Sequence, residues 1–244
     1  MKQLFCVTMV LSCSMLLAGC RYVPQPREMG DMALLRTVGI DATENGISMT
    51  VSTGPQAKGV QGEQQPALCL SVEGTSLSGA ALAAQGRSDR SIFFGYVDQL
   101  LLGEERAKGD IQTILNWFAT DEELSLGAQI WVVQGNTAKA AVESGGEEGV
   151  DGRLSNLEKD GKLGAAPISR SAEEVYIALQ ELGCAYVPTV TIAEGETELQ
   201  PGGYAVFHKN GLAGFLRDEG ARGLELLAEK PIAEIIEVEL PEQT

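Results

Sequence analysis

The sequence has one histidine, His208, and few aromatic residues, with phenylalanine, tryptophan and tyrosine together at 5% of 244 residues. It is also short of positive charge, with 18 Lys and Arg against 34 Asp and Glu, a net charge of −16. A body this acidic is repelled by phosphate backbones and by anionic headgroups, which excludes nucleic acid as a partner. Of the five cysteines, Cys6, Cys13 and Cys20 fall at the N-terminus. That leaves Cys69, Cys184 and one histidine, too few for a zinc-finger type cluster. Neither a G-x-G-x-x-G loop nor a P-loop lysine is present, so a nucleotide cofactor lacks its usual cradle. Beyond residue 20 no stretch is apolar enough to span a bilayer.

The chemistry-bearing side chains that do occur read as structural. His208 lies in a predicted hairpin beside Phe207, away from any serine nucleophile motif. Glu104-Glu105 and Asp121-Glu122-Glu123 supply carboxylates, but only spatial placement turns such pairs into a glycosidase site. Glu147, Glu148 and Asp151 lack the alternating ligands and closing glutamate of a calcium loop and read as a solvated acidic cluster. Trp117 and Trp131 read as core. The residues therefore point to a chain that is not an enzyme and has no catalytic, cofactor-binding or metal-binding residues.

The most informative stretch is the N-terminal one. Lys2 is followed by an uncharged run from Leu4 to Ala18, shorter than the ~20 residues of a membrane span. Leu17-Ala18-Gly19-Cys20 then reads as a lipobox, with small residues before a cysteine that accepts diacylglycerol. The alternative is an ordinary signal peptide with a chance cysteine. On the lipobox reading residues 1–19 are removed and Cys20 is the lipidation site. Acyl chains then hold the protein at a membrane outside the cytoplasm, each buried methylene contributing about 0.8 kcal/mol. Cys69 and Cys184, flanked by apolar residues, read as buried free thiols in preference to a disulfide.

Residues 20–27, with Pro24 and Pro26, form a stiff membrane-proximal spacer. An N-terminal α+β domain is expected over 28–143. Leu34 to Asp41 and Ile47 to Val51 flank a turn at Glu44-Asn45-Gly46. Gly54 to Pro66 reads as a loop and Ala67 to Glu73 as a strand. Thr75 is placed at the cap of a helix running to Gln85, and Phe93 to Leu102 reads as one strand. Asp110 caps a helix carrying Ile111, Ile114, Leu115 and Phe118. A strand from Leu126 to Gln134 and a short helix from Thr137 to Glu143 follow. Residues 144–169, rich in glycine and acid, read as a flexible linker. A second α+β domain over 170–244 opens with Ser171-Ala172-Glu173-Glu174 as a helix start. It continues with a strand at Val187 to Ile192 and a hairpin around Asn210-Gly211. A helix with Leu224, Leu226 and Leu227 follows, and a last strand, Ile232 to Leu240, is expected to dock on this domain's own sheet.

In this order the pieces resemble the Ger(x)C family, the lipoprotein C subunits of spore germinant receptors. Arg27-Glu28-Met29-Gly30-Asp31-Met32-Ala33 resembles the family's R-E-I-x-D-L-A, and Val38-Gly39-Ile40-Asp41 its G-x-G-I-D strand end. Phe93-Phe94-Gly95-Tyr96, then Leu102-Gly103-Glu104-Glu105 and Ala107, resemble its Y-F-G-H and I-G-E-E-x-A block. Tyr204 to Phe207, Leu212 to Leu216 and Glu219 to Leu224 are similar to G-x-A-V-F, L-V-G-x-L and E-T-R-G-L. Two departures stand out. Arg21-Tyr22 stands where the family has an aromatic and an acid, and its third α+β domain is missing after Thr244. The resemblance implies a lipoprotein on the outer face of the spore inner membrane, working with integral-membrane A and B subunits in nutrient-triggered germination. The competing expectation is a lipid-anchored solute-binding protein or hydrolase, to be recognised by a deep apolar pocket or two carboxylates facing one cleft.

Overall fold

The computed structural model describes residues 32–57, 64–192, 198–209 and 211–228. Cys20, the spacer, Asn210 and the expected strand 232–240 lie outside them. The described residues form one compact unit.

The unit begins with β1 (Met32–Thr43), which turns back at Glu44-Asn45 into β2 (Gly46–Thr53). Two short pieces, β3 (Gln56–Ala57) and β4 (Gln64–Gln65), pair with each other before β5 (Cys69–Gly74). Helix α1 (Leu77–Arg87) follows, its first turn closed by Ser76 Oγ accepting from Gly79 N. The cap is thus Ser76, one residue after the expected Thr75. Next come β6 (Ser91–Phe93), β7 (Gln99–Gly103), the single turn α2 (Glu104–Ala107) and α3 (Gln112–Thr120). Strand β8 (Gln129–Val133) leads into α4 (Ala138–Glu143), a 3-10 turn at Gly146–Glu148, and α5 (Asp151–Lys162). Helix α6 (Ala172–Glu181) starts in a complete capping box between Ser171 and Glu174, as its sequence predicts. The described chain closes with β9 (Cys184–Ile192), β10 (Leu199–His208), β11 (Gly211–Leu216) and α7 (Asp218–Leu227).

One mixed sheet collects these strands in the order β11-β10-β9-β8-β7-β1-β2-β5, with β6 beside β1. Strands β9, β8, β7 and β1 run parallel, and both margins are antiparallel hairpins. The pleat sends alternate residues to opposite faces. Leu100, Leu102, Ile130 and Val132 join Ala80, Leu115, Phe118 and Leu179 from α1, α3 and α6 in one core. Leu101, Trp131 and Val133 meet Ala141, Val142, Leu154 and Leu157 from α4 and α5 in the other. The fold class is α+β, with helices on both faces of the sheet.

Four expectations need correction. The linker expected over 144–169 is not one: α5 occupies it and buries Leu154 and Leu157, spaced three apart on a helix that is otherwise polar. With that helix in place the sheet crosses the expected domain boundary without a break, because β9 pairs with β8 at Val132–Thr189 and Val133–Val190. Two separate domains, 28–143 and 170–244, are therefore not what the described residues form. The single strand expected at Phe93 to Leu102 is two strands, β6 and β7, interrupted by a turn in which Val97 N donates to Phe94 O. Finally, Cys69 and Cys184 are free thiols but exposed, each lying at the beginning of its strand.

Candidate functional site

The motif residues converge at the C-terminal ends of the parallel strands, the place where open sheets of this kind hold ligands. Ile40 is buried in the first core, so Gly39 and Asp41 face the other side of the sheet. There α4 lies directly on β1. A Cβ at Gly39 would stand 3.1 Å from both Ala138 Cβ and Val142 Cγ2, so a side chain there would require the helix to give by a few tenths of an ångström. Asp41 then meets the first turn of α4, with Oδ1 accepting from Ala138 N at 2.7 Å and Oδ2 from Lys139 N at 2.9 Å. These are amides that a helix start leaves without intrahelical partners. Thr137 Oγ1 accepts from Ala140 N, completing the cap.

The neighbouring strand is shaped to fit. A side chain on Gly103 would overlap Asp41 Oδ1, so the absence of a Cβ there is what leaves room for the carboxylate. Glu104 Oε2 accepts from Gly135 N at 2.6 Å, and Glu104 N donates to Asn136 O. Lys108 pairs with Glu104 at 3.3 Å and with Glu105 at 2.6 Å. Gly135 has a φ of 74°, a conformation that glycine takes at no steric cost. Strand ends, α2 and the loop before α4 are thereby tied into one knot. Burial pushes the Asp41 carboxyl above its ordinary value, outweighing the two amides and Lys139, which pull it down. The carboxylate is spent on backbone amides, so the arrangement fixes α4 and offers no free acid or base.

The other predicted candidates are likewise occupied or far apart. Asp121 Oδ1 accepts from Glu123 N, and Glu123 Oε2 accepts from Phe94 N at 3.1 Å. Trp131 is buried and donates through Nε1 to Gln99 Oε1 at 2.8 Å. Trp117 packs edge-on against Phe94 and Phe118. His208 is exposed at the end of β10, opposite Cys184 on β9. Among the described residues no three His, Cys, Asp or Glu side chains come together as a metal site. None of the described helices is long and apolar enough to cross a membrane.

A second set of buried polar contacts was not legible beforehand. Tyr204, fully buried, accepts from Ile168 N at 2.6 Å and donates to Glu225 Oε1 at 2.7 Å. It is one link between α7, which buries none of its own side chains, and the sheet. Burial first, and then the bond to Glu225, pushes the Tyr204 hydroxyl well above its usual range. Arg170 stands 4.5 Å over the Tyr186 ring, which packs edge-on against Tyr204. A groove of about 690 Å³ opens beside the start of α5, lined by Glu148, Asp151, Arg153, Asn156 and Glu198 among others. Its one arginine already donates to Leu199 O at 2.9 Å and pairs with Glu198 at 3.1 Å. It is a polar groove, unlike the deep apolar pocket expected of a solute-binding protein.

Against known families, residues 25–192 match the model described as the spore germination protein N-terminal domain. The chain belongs to that family. The match includes the knot around Asp41 and runs straight through α5, in keeping with a sheet that does not stop at residue 144. Among individual proteins, the chain is similar to spore germination protein KC of Bacillus subtilis (strain 168). The two are 26% identical over 151 residues, which cover 58% of this chain and 36% of that protein. The crystal structure of the GerBC protein aligns with 77% of this chain and 54% of its own, at 17% identity and a TM-score of 0.40. The chain thus spans little more than a third of the length of spore germination protein KC.

Proposed function

We propose that this chain is the C subunit of a spore germinant receptor, anchored by lipid on Cys20 to the outer face of the spore inner membrane. It acts in nutrient-triggered germination by assembling with integral-membrane A and B subunits, and it carries no catalysis of its own. The observation behind this reading is the family match over residues 25–192. Two features support it: Leu17-Ala18-Gly19-Cys20 has the pattern of a lipobox, and the described carboxylates at the strand ends hold backbone amides rather than facing a cleft. On this reading residues 1–19 are a signal peptide and residues 20–27 a membrane-proximal spacer.

The test is a spore membrane extract carrying an affinity-tagged chain. Recovery of integral-membrane A and B subunits with the tagged protein is expected, together with a mass for the N-terminal peptide that includes diacylglycerol on Cys20. A Cys20→Ala variant should accumulate as the uncleaved precursor. A chain recovered free of membrane subunits, in spores that germinate normally when it is deleted, would overturn the assignment.

A further inference from the structure

The lipid tether enters the folded unit at Met32, and Met32 to Leu34 pair in parallel with Ser91 to Phe93. Adjacent strands lie about 4.8 Å apart. The turn that follows β6 therefore sits beside Leu35 and Arg36, about 10–13 Å along β1 from the point where the tether ends. Ile92-Phe93-Phe94-Gly95-Tyr96-Val97 has no charged residue, in a chain with a net charge of −16. Tyr96 is 47% exposed, Gly95 is exposed and Phe93 is half-buried. The turn is built to hold its shape. Val97 N donates to Phe94 O at 3.0 Å, Phe94 N donates to Glu123, and Phe93 and Tyr96 pack edge-on at 5.8 Å. The Phe93 ring lies over Gly95, where any side chain would overlap it.

We infer that this aromatic turn is a membrane-docking surface that seats in the interfacial layer of the bilayer to which Cys20 is tethered. The inference rests on the lipid-anchor reading of Cys20. From Cys20 to Met32 the chain reaches at most about 40 Å, so the turn never travels far from the headgroups. Aromatic rings with a polar tip prefer that layer, where the ring is shielded and the hydroxyl stays wet. One or two rings bind a bilayer too weakly to hold a free protein. A short tether changes this by raising the effective concentration of the surface to the millimolar range. The exposed acids Glu122 and Glu123 beside the turn favour zwitterionic over anionic headgroups. Docking by this end points the opposite end of the sheet, with the Asp41 knot and Asn136, away from the membrane.

The experiment installs the tether chemically, so it does not depend on whether a cell lipidates Cys20. The chain from Cys20 to Thr244, with Cys69→Ser and Cys184→Ser, is coupled through Cys20 to a maleimide lipid in phosphatidylcholine vesicles containing nitroxide-labelled lipid. In a Tyr96→Trp variant the added fluorescence should be strongly quenched. In an Asn136→Trp variant, about 20–25 Å away along the strands, it should not be. Amide exchange of the same Cys69→Ser, Cys184→Ser chain without either tryptophan substitution gives a second reading: the peptide over 92–97 should exchange more slowly when tethered, and the one over 134–139 should not. Equal quenching at both positions, or exchange over 92–97 that tethering leaves unchanged, would overturn the inference. Absence of lipid on Cys20 in cells would instead refute the anchor and leave this result standing.

Discussion

Replacing Gly103 by alanine probes the knot at its tightest point. The new methyl group would overlap Asp41 Oδ1 and stand 3.0 Å from Ala138 N, so the carboxylate has to withdraw from the first turn of α4. Its bonds of 2.7 and 2.9 Å to Ala138 and Lys139 are then lost. Overpacking of this kind costs about 1–3 kcal/mol, and losing a helix cap about 1 kcal/mol more. Gly103→Ala should therefore destabilise the unit by roughly 2–4 kcal/mol, read as a shift of the urea midpoint at constant slope. Stability alone does not identify the cause, so the decisive assay is a double-mutant cycle. Asp41→Ala by itself removes the cap. Added to Gly103→Ala it also removes the atom with which the methyl group collides. The two losses should be sub-additive by about 1–2 kcal/mol, as residues in direct contact are. Additive losses would show that the glycine is required for some reason other than room for the Asp41 carboxylate.

Two further outcomes follow from the buried polar groups. The Asp41 carboxyl titrates above its ordinary 3.8 because it is buried. The folded state therefore binds its proton more tightly than the unfolded state does, and its contribution to stability is full below the ordinary value and lost as pH rises through the raised one. Asp41→Asn abolishes that titration, so wild type should lose stability relative to the variant as pH rises above the ordinary carboxylate value, measured by urea unfolding at each pH; a difference that does not change with pH would refute this. Tyr204→Phe removes the hydroxyl shared by Ile168 and Glu225. It should cost about 1–3 kcal/mol by leaving buried partners unpaired and should speed proteolysis within α7; digestion of α7 at the wild-type rate would refute the linkage.

What could be read from the chain beforehand was local. Glu44-Asn45-Gly46 turns β1 into β2, and Ser171 with Glu174 opens α6, because each signal acts over three or four positions. The Asp41 cap was not, since the acid and the amides it serves lie 97 and 98 positions apart. Gly39, Ile40 and Asp41 were recognised only as a family-like string. Their separate jobs are a close approach, a core contact and a cap, and each depends on α4 arriving from elsewhere. The partners of Tyr204 carried no signal, because an aromatic residue in an apolar strand looks the same whether or not its hydroxyl has partners. The pair Cys69 and Cys184 misled through their apolar neighbours, which face the core from positions next to an exposed thiol.

The instructive failure is the stretch expected to be a linker. Glycine and acid dominate its composition, and composition is a sound guide to disorder only when too little apolar surface exists to offset ordering. Here Val150, Leu154 and Leu157 suffice, because the helix needs only one narrow stripe to close the second face of the sheet beside α4. Its charges then act on both sides of the expected boundary. Asp151 lies 3.7 Å from Arg36 on β1, while Arg153 holds the Leu199 carbonyl and Glu198 next to β10. A segment that ties the first strand of the sheet to one near its far edge is part of the cooperative core. Leu157→Ala should consequently cost about 2–5 kcal/mol, the range for truncating a buried leucine. The loss should lower a single unfolding transition, read alike by the buried Trp131 on β8 and by circular dichroism of the whole chain. Two separated transitions, with only one of them moved by Leu157→Ala, would restore the two-domain reading and make the helix a local ornament on one half.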